Sequence, residues 1–281
     1  MKKEVRQFYT GERAMFAVKD MHFVECTFDA GESPLKECSN LLLDNCLFKW
    51  KYPMWYGKDI TVNNCTLFDT ARAGMWYTDN IAFNNCVIEA PKSFRRSTRI
   101  TLSNVVIPNA METLWNCENI TLKNVQAQGT YFAMGCKNIT CEDFVLTGDY
   151  CFDSAENVTI RRAKLLSKDS FWNCKNVLVE DSFISGEYLA WNAENVTFVN
   201  CTIESLQGLC YIKNLKLVNC KLINTTRAFE YSTVDADIVG HVDSIVNPTN
   251  GRIVADSIGE LVLDDRYIES NKTEIICRGK K

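Results

Sequence analysis

A nine-residue phrase recurs along this chain: Asn, aliphatic, Thr or a similar residue, aliphatic, polar, Asn or Asp, Cys or Val, polar, aliphatic. Asn80-Ile81-Ala82-Phe83-Asn84-Asn85-Cys86-Val87-Ile88 and Asn195-Val196-Thr197-Phe198-Val199-Asn200-Cys201-Thr202-Ile203 are clear copies. Eleven copies open at Asp20, Asn40, Asp59, Asn80, Arg99, Asn119, Asn138, Asn157, Asn176, Asn195 and Asn214, at spacings of 20, 19, 21, 19 and 20, then five of 19. A fixed period of that length marks a solenoid, because each repeat buries its apolar side only against its neighbours. Within a copy the apolar residues alternate, slip by one at the second Asn or Asp, and resume. Alternation specifies strand and the slip specifies a corner, whereas a helical repeat would show a 3.6 period. The expectation is an all-β fold, a single right-handed parallel β-helix of about 19–20 residues per coil. Neighbouring strands about 4.8 Å apart would make eleven coils a rod of roughly 50 Å.

The repeat assigns most of the fourteen cysteines. Cys26, Cys46, Cys65, Cys86, Cys201 and Cys220 hold the seventh position of the phrase, while Cys38, Cys117, Cys136 and Cys174 lie two residues before an opening residue. Both columns take small side chains, so these ten read as buried reduced thiols. No C-x-x-C pair is present, so the usual zinc spacing is absent and no metal or cofactor is expected. The Asn columns suit repeated corners, because Asn tolerates left-handed backbone and bonds nearby main-chain groups.

The formal net charge of −4 argues against a general nucleic-acid binder. Lys2, Lys3 and Arg6 are not followed by an apolar stretch of signal-peptide type, and no run is long enough to span a membrane, so the expectation is a cytoplasmic protein with no membrane partner. Residues 1–19 read as an N-terminal cap, 20–233 as regular coils and 234–281 as irregular closing coils and cap, within one domain, 1–281. Caps are expected because an open β-helix leaves sheet edges unpaired.

The whole chain resembles a family of bacterial β-helix proteins, a domain of unknown function. The resemblance is carried by Thr10-Gly11-Glu12-Arg13-Ala14, Gly31-Glu32-Ser33-Pro34-Leu35-Lys36-Glu37, Lys49-Trp50-Lys51-Tyr52-Pro53, Ala73-Gly74-Met75-Trp76-Tyr77-Thr78, the stretch from Glu204 to Tyr211, and Phe229-Glu230-Tyr231-Ser232-Thr233. More loosely, the repeat resembles the pectin-lyase-like β-helices, a group that includes polysaccharide lyases and hydrolases. That looser resemblance implies a calcium-binding carboxylate cluster or paired aspartates near a His-Gly. Here Asp264-Asp265 and Gly240-His241 stand in an unsuitable order, and His22 is the other histidine. Glu142-Asp143, Arg161-Arg162 and Glu180-Asp181 occupy two columns in successive coils and read as a charge ladder that fixes stacking register.

One pattern is left over. In the segment before each opening residue, a uniformly apolar column is followed by Trp55, Trp76, Arg95, Trp115, Met134, Asp153, Trp172, Trp191, Cys210 and Tyr231, and beside it by Tyr56, Tyr77, Arg96, Asn116, Ser154, Asn173, Asn192 and Tyr211. Burying Arg95 and Asp153 would be costly, so the column is expected to face outward. The alternative is that the tryptophans turn inward or lie under the segment with Tyr131, Tyr150 and Tyr188. Flat rings interleaved with amides suit sugars, and Arg95, Arg96, Arg99 and Lys92 suit an anionic group. The expected ligand-binding set is Trp55, Tyr56, Trp76, Tyr77, Arg95, Arg96, Trp115, Asn116, Asp153, Trp172, Asn173, Trp191 and Asn192. The leading expectation is a binding protein for a carbohydrate-like or anionic polyhydroxylated ligand. The alternatives are a carbohydrate-active enzyme using Asp153, Asp169 or Glu112, for which spacing assigns no acid–base pair, and an oligomerising module.

Overall fold

In a computed structural model, which describes residues 1–264, 266 and 272–279, the chain is almost entirely β and builds a parallel β-helix. It divides into two compact units, Met1–Val145 and Leu146–Lys281. Asp265 of the Asp264-Asp265 pair lies outside the described residues.

In the first unit the strands Lys2–Val5, Lys19–Val24, Ser39–Asp44, Lys58–Asn63, Asp79–Asn84, Thr98–Ile107 and Glu118–Gln128 pair in that order, all parallel. A second ladder starts at Phe8–Tyr9 and passes through Thr27–Phe28, Leu47–Phe48 and Thr66–Leu67 to Val87–Ile88. The alternation in the phrase becomes alternation in burial: Met21, Leu41, Ile60, Ile81, Ile100 and Ile120 form one interior column, and Phe23, Leu43, Val62, Phe83, Leu102 and Leu122 another. At the ninth position Phe28 and Phe48 stack with centroids 4.9 Å apart and planes 2° from parallel. The strand spacing of about 4.8 Å sets that ring distance directly.

The corners are left-handed as expected. Asn45, Asn64 and Asn85 have φ of 54°, 52° and 54°, and the opening residues Asn40 and Asn80 have 54° and 59°. Their side-chain amides bond from coil to coil, for example Asn80 Nδ2 to Asp59 Oδ1 at 2.7 Å and Asn138 Nδ2 to Asn119 Oδ1 at 3.0 Å.

Residues 1–19, read from sequence as a cap, carry a coil in register with the next: Lys2 pairs with Met21 and Val5 with Val24. Their chemistry is nevertheless that of an end. Lys2, Glu4 and Gln7 stand where the following coil has Met21, Phe23 and Cys26, and Lys2 Nζ meets Glu4 Oε1 at 2.9 Å. Polar residues at interior positions hide such a coil from any search for apolar columns.

In the second unit the ladder runs through Glu156–Arg161, Lys175–Glu180, Glu194–Val199, Lys213–Thr226, Thr233–Ile238, Asn250–Ala255 and Lys272–Cys277. Of the expected charge ladder, Arg161 Nε meets Glu180 Oε2 at 2.5 Å across adjacent coils. After Asn214 the period changes, with Thr233 paired to Asn250 and His241 to Ser257.

All fourteen cysteines are free, and all but Cys277 are buried. Their thiols act as small donors at corners: Cys46 to the Asp44 carbonyl at 3.4 Å, Cys65 to Asn63 at 3.1 Å, Cys86 to Asn84 at 3.2 Å. Ser182, in the same column as Cys201, donates to Glu180 O at 2.6 Å in the same way. Burial pushes the Cys38 thiol up to about 11 and that of Cys210 up to about 12, so neither forms the reactive thiolate at neutral pH. A thiol-specific reagent is therefore expected to label one cysteine per native chain, Cys277, and all fourteen in denaturant. Rapid labelling of several thiols in the native protein would contradict the closed columns.

Candidate functional site

In the first unit the left-over column turns neither inward nor fully outward. Trp55, Trp76, Arg95 and Trp115 are half-buried, and because they repeat at the coil spacing they lie on one another. The Trp55 and Trp76 rings are parallel within 8°, with centroids 5.2 Å apart. The Arg95 guanidinium then sits 4.5 Å from the Trp76 ring and 4.8 Å from that of Trp115, which in turn stacks on Tyr131 at 6.2 Å. Arg95 Nη2 bonds Glu112 Oε2 at 3.0 Å, and Lys92 Nζ reaches the same oxygen at 3.2 Å. Among the described residues Arg95 Nε is a buried donor with no partner, enclosed by the two indoles. The indole N–H groups are also taken: Trp55 Nε1 donates to Ala73 O at 2.6 Å, and Trp76 Nε1 to Lys92 O at 2.8 Å.

This corrects the expectation of a flat aromatic platform. A sugar stacks on a ring face, and here both faces of Trp76 and of Trp115 are covered by a neighbouring ring or by Arg95, while Trp55 has Trp76 on one face and Tyr52 tilted at 44° beside it at 4.7 Å. The neighbouring column is more open. Tyr56 is 48% exposed and stacks on Tyr77 at 4.9 Å, with Lys36 over its ring at 5.6 Å. Arg96 and Asn116 follow on successive coils, both exposed. Arg99 is committed elsewhere, in a two-pronged ion pair with Asp79.

In the second unit the same columns pack edge to face. Trp172 and Trp191 are half-buried at 6.4 Å and 78°, and Trp191 also meets Tyr188 and Tyr211, each at 5.1 Å. The Trp191 N–H donates to Gln207 O at 2.6 Å. Asp153 Oδ1 accepts from Ser154 Oγ at 2.8 Å and Asn173 Nδ2 at 3.3 Å, and Asn192 Nδ2 donates to Asn173 Oδ1 at 2.7 Å. These amides continue a surface ladder. Cys210, assigned to the Trp column, is buried, and Tyr231 stands over Tyr211 at 5.4 Å rather than over Cys210. A register shift after Glu204, which faces Ile223 while Leu206 faces Thr226, adds one residue to the upper coil and carries Tyr231 one column along, before the offset returns to nineteen where Leu215 faces Val234.

Each carboxylate considered for catalysis is engaged within its own unit. Glu112, in the first unit, is held by two cations, and in the second Asp153 belongs to the amide ladder. Asp169 is 3% exposed, between Tyr150 and Tyr188 of the adjacent coils, and burial raises its pKa. Asp264 is paired with Arg266, which holds its carboxyl down at about 2. His22 Nε2 meets Asp44 Oδ2 at 2.7 Å, and His241 Nδ1 meets Ser257 Oγ at 2.8 Å. Among the described residues no three His, Cys, Asp or Glu side chains are grouped to hold a metal ion, and no helix is long and apolar enough to cross a membrane.

One tryptophan was missed by the column reading. Trp50 lies at the turn that precedes the aromatic segment, is 37% exposed, and has no ring partner among the described residues. Lys51 Nζ lies over its ring at 5.4 Å. Trp50 and Lys51 line a groove of about 380 Å³ with Asp69, Thr70, Arg72 and Asn109, floored in part by Pro91. The groove adjoins the stacked column through the backbone, since Arg72 and Pro91 immediately precede Ala73 and Lys92, whose carbonyls hold the two indoles. The signal available in sequence was the tripeptide Lys49-Trp50-Lys51, an aromatic between two cations just outside the periodic positions. A larger space of about 760 Å³ in the second unit is lined by Ile258, Leu261, Ile275 and Ile276, and its carboxylate, Asp256, is paired with Arg278. Its lining includes no aromatic ring.

No curated protein matches the chain. Among solved structures, it is similar to the A-module of the Azotobacter vinelandii mannuronan C-5 epimerase AlgE4, at 9% identity over 98% of this chain and 88% of that one, TM-score 0.34. It is also similar to bacteriophage CBA120 tailspike protein 3, at 10% identity over 99% and 56%, TM-score 0.36. A third is the surface adhesin PfbA of Streptococcus pneumoniae, at 10% identity over 94% and 85%, TM-score 0.32. Residues 2–276 match the family described as "Protein of unknown function (DUF3737)", and with nearly its whole length covered the chain belongs to that family.

Proposed function

We propose that the protein is a binding protein for a carbohydrate-like, polyhydroxylated ligand, seated in the first unit at the groove beside Trp50. The observation that carries this reading is the contrast among the unit's tryptophans. Trp76 and Trp115 are covered on both ring faces and Trp55 on one, whereas Trp50, with only Lys51 over its ring, offers an indole unstacked on any other ring to a groove with amide and charged groups. An apolar wall with a few convergent polar groups is the ordinary composition of a small-molecule site. The stacked column beside it serves as a stiff wall, which limits the ordering that binding must otherwise impose. A binding role is favoured over catalysis because the candidate carboxylates are each ion-paired, hydrogen-bonded in the amide ladder or buried.

Titration calorimetry with neutral and acidic mono- and oligosaccharides tests the reading, using the wild-type chain and Trp50→Ala. At least one sugar class is expected to bind the wild type, and Trp50→Ala is expected to weaken it about tenfold or more, the scale of losing one buried aromatic contact. A wild type that binds nothing in the panel, or a Trp50→Ala variant that binds as well as the wild type, overturns it.

A further inference from the structure

Resting on the reading of the Trp50 groove as a sugar site, we infer that the groove selects sugars that carry one anionic group, a carboxylate or a phosphate, and that Arg72 is the residue that selects them. The backbone places the charges. Tyr52 N–H donates to Arg72 O at 3.2 Å and Ala73 N–H to Pro91 O at 3.1 Å, so Lys51, Arg72 and Pro91 come from successive coils and share one column at the groove wall. Lys51 is already answered, since its Nζ meets Glu32 Oε1 at 3.4 Å. Arg72 is exposed at the groove and its guanidinium has no hydrogen bond or ion pair among the described residues. That sets it apart from Arg95 and Arg99, which are paired with Glu112 and Asp79.

The remaining lining groups suit hydroxyls rather than a second charge. Asp69 Oδ1 accepts the Thr70 N–H at 2.7 Å, which leaves its other oxygen as an acceptor. The Asn109 amide is exposed and unbonded among the described residues, and Thr70 Oγ1 is turned away to Lys49 O at 2.7 Å. A ligand that satisfies all of these has an apolar face for Trp50, hydroxyls for Asp69 and Asn109, and one negative group for Arg72. The planar guanidinium can hold either a carboxylate or a phosphate through paired N–H donors. A polyanion is disfavoured, because Asp69 would face its second charge.

The experiment compares glucose, glucuronic acid and glucose 6-phosphate by titration against wild type, Arg72→Gln and Arg72→Lys, at low and raised salt. The wild type is expected to bind at least one of the two acids about tenfold or more tightly than glucose, and the advantage is expected to shrink as salt rises. In Arg72→Gln the advantage is expected to disappear, the acids falling to about the affinity of glucose for the same variant, and Arg72→Lys is expected to restore part of it. Which acid gains distinguishes a carboxylate site from a phosphate site. Equal binding of all three by the wild type, or an acid preference that survives Arg72→Gln, overturns the anionic selectivity and leaves the Trp50 reading standing. Binding of none overturns both. Arg72 is exposed and its side chain has no hydrogen bond or ion pair among the described residues, so its variants are expected to melt with the wild type.

Discussion

Arg95→Ala is expected to lower the stability of the first unit by about 2–4 kcal/mol, measured by denaturant unfolding of the full chain. Two ring–cation contacts of partly desolvated type contribute about 0.5–2 kcal/mol each, and the charge-assisted bond to Glu112 adds about 1 kcal/mol at this partly buried position. Truncation also opens a gap between Trp76 and Trp115 that the coil spacing prevents from closing. The side chain is only 25% exposed, so solvent screening trims this estimate without cancelling it. Arg95→Lys is expected to recover little, because a point ammonium cannot lie flat between two indoles. A red-shifted tryptophan emission should accompany the loss. Wild-type stability in Arg95→Ala would mean that the sandwich is a consequence of the fold and contributes nothing to it.

Asp169→Asn is expected to act in the opposite direction and to stabilise the second unit near neutral pH by about 0.5–2 kcal/mol, an ordinary scale for one substitution, because it removes a charge that burial disfavours. Burial is the main cause of the raised pKa, with Asp149 and Glu187 adding to it and Lys168 opposing it. A carboxyl whose pKa is higher folded than unfolded binds its proton more tightly in the folded chain. Its contribution is therefore favourable in acid and is lost as pH rises through the folded value. The gain from Asn should vanish in acid below the ordinary carboxyl value and be full above the raised, folded one. Asn also accepts the left-handed backbone at this corner, where φ is 53°, at least as well as Asp. Unfolding curves at acid and neutral pH settle the matter: a gain that does not depend on pH would point to backbone preference rather than charge.

The coils, their corners and the fate of the cysteines were legible in the sequence because each is a local consequence of the repeat. An apolar residue at every second strand position faces in, an Asn at a corner goes left-handed, and a small thiol fits beside it. What escaped depends on relations between coils. The covering of the Trp55 and Trp76 faces follows from putting two indoles in one column at the strand spacing, which column lists alone do not express. The extra residue after Ile223 moved Tyr231 from one column to the next, a slip that periodic counting carries forward unnoticed. Trp50 was passed over because it stands outside the regular columns, where side chains are set by a turn rather than by the ladder. Lys2, Glu4 and Gln7 concealed a coil by filling interior positions with polar groups.

The thiols at the corners lead somewhere different. Cys65, Cys86, Ser97, Ser182 and Thr225 all do the same small task, donating to the carbonyl two residues back. The corner is indifferent to whether that donor is sulfur or oxygen, provided it is compact. Exchanging thiols for hydroxyls one corner at a time is therefore expected to keep the fold, which puts a form of the chain with few cysteines, proof against oxidation, within reach of ordinary mutagenesis.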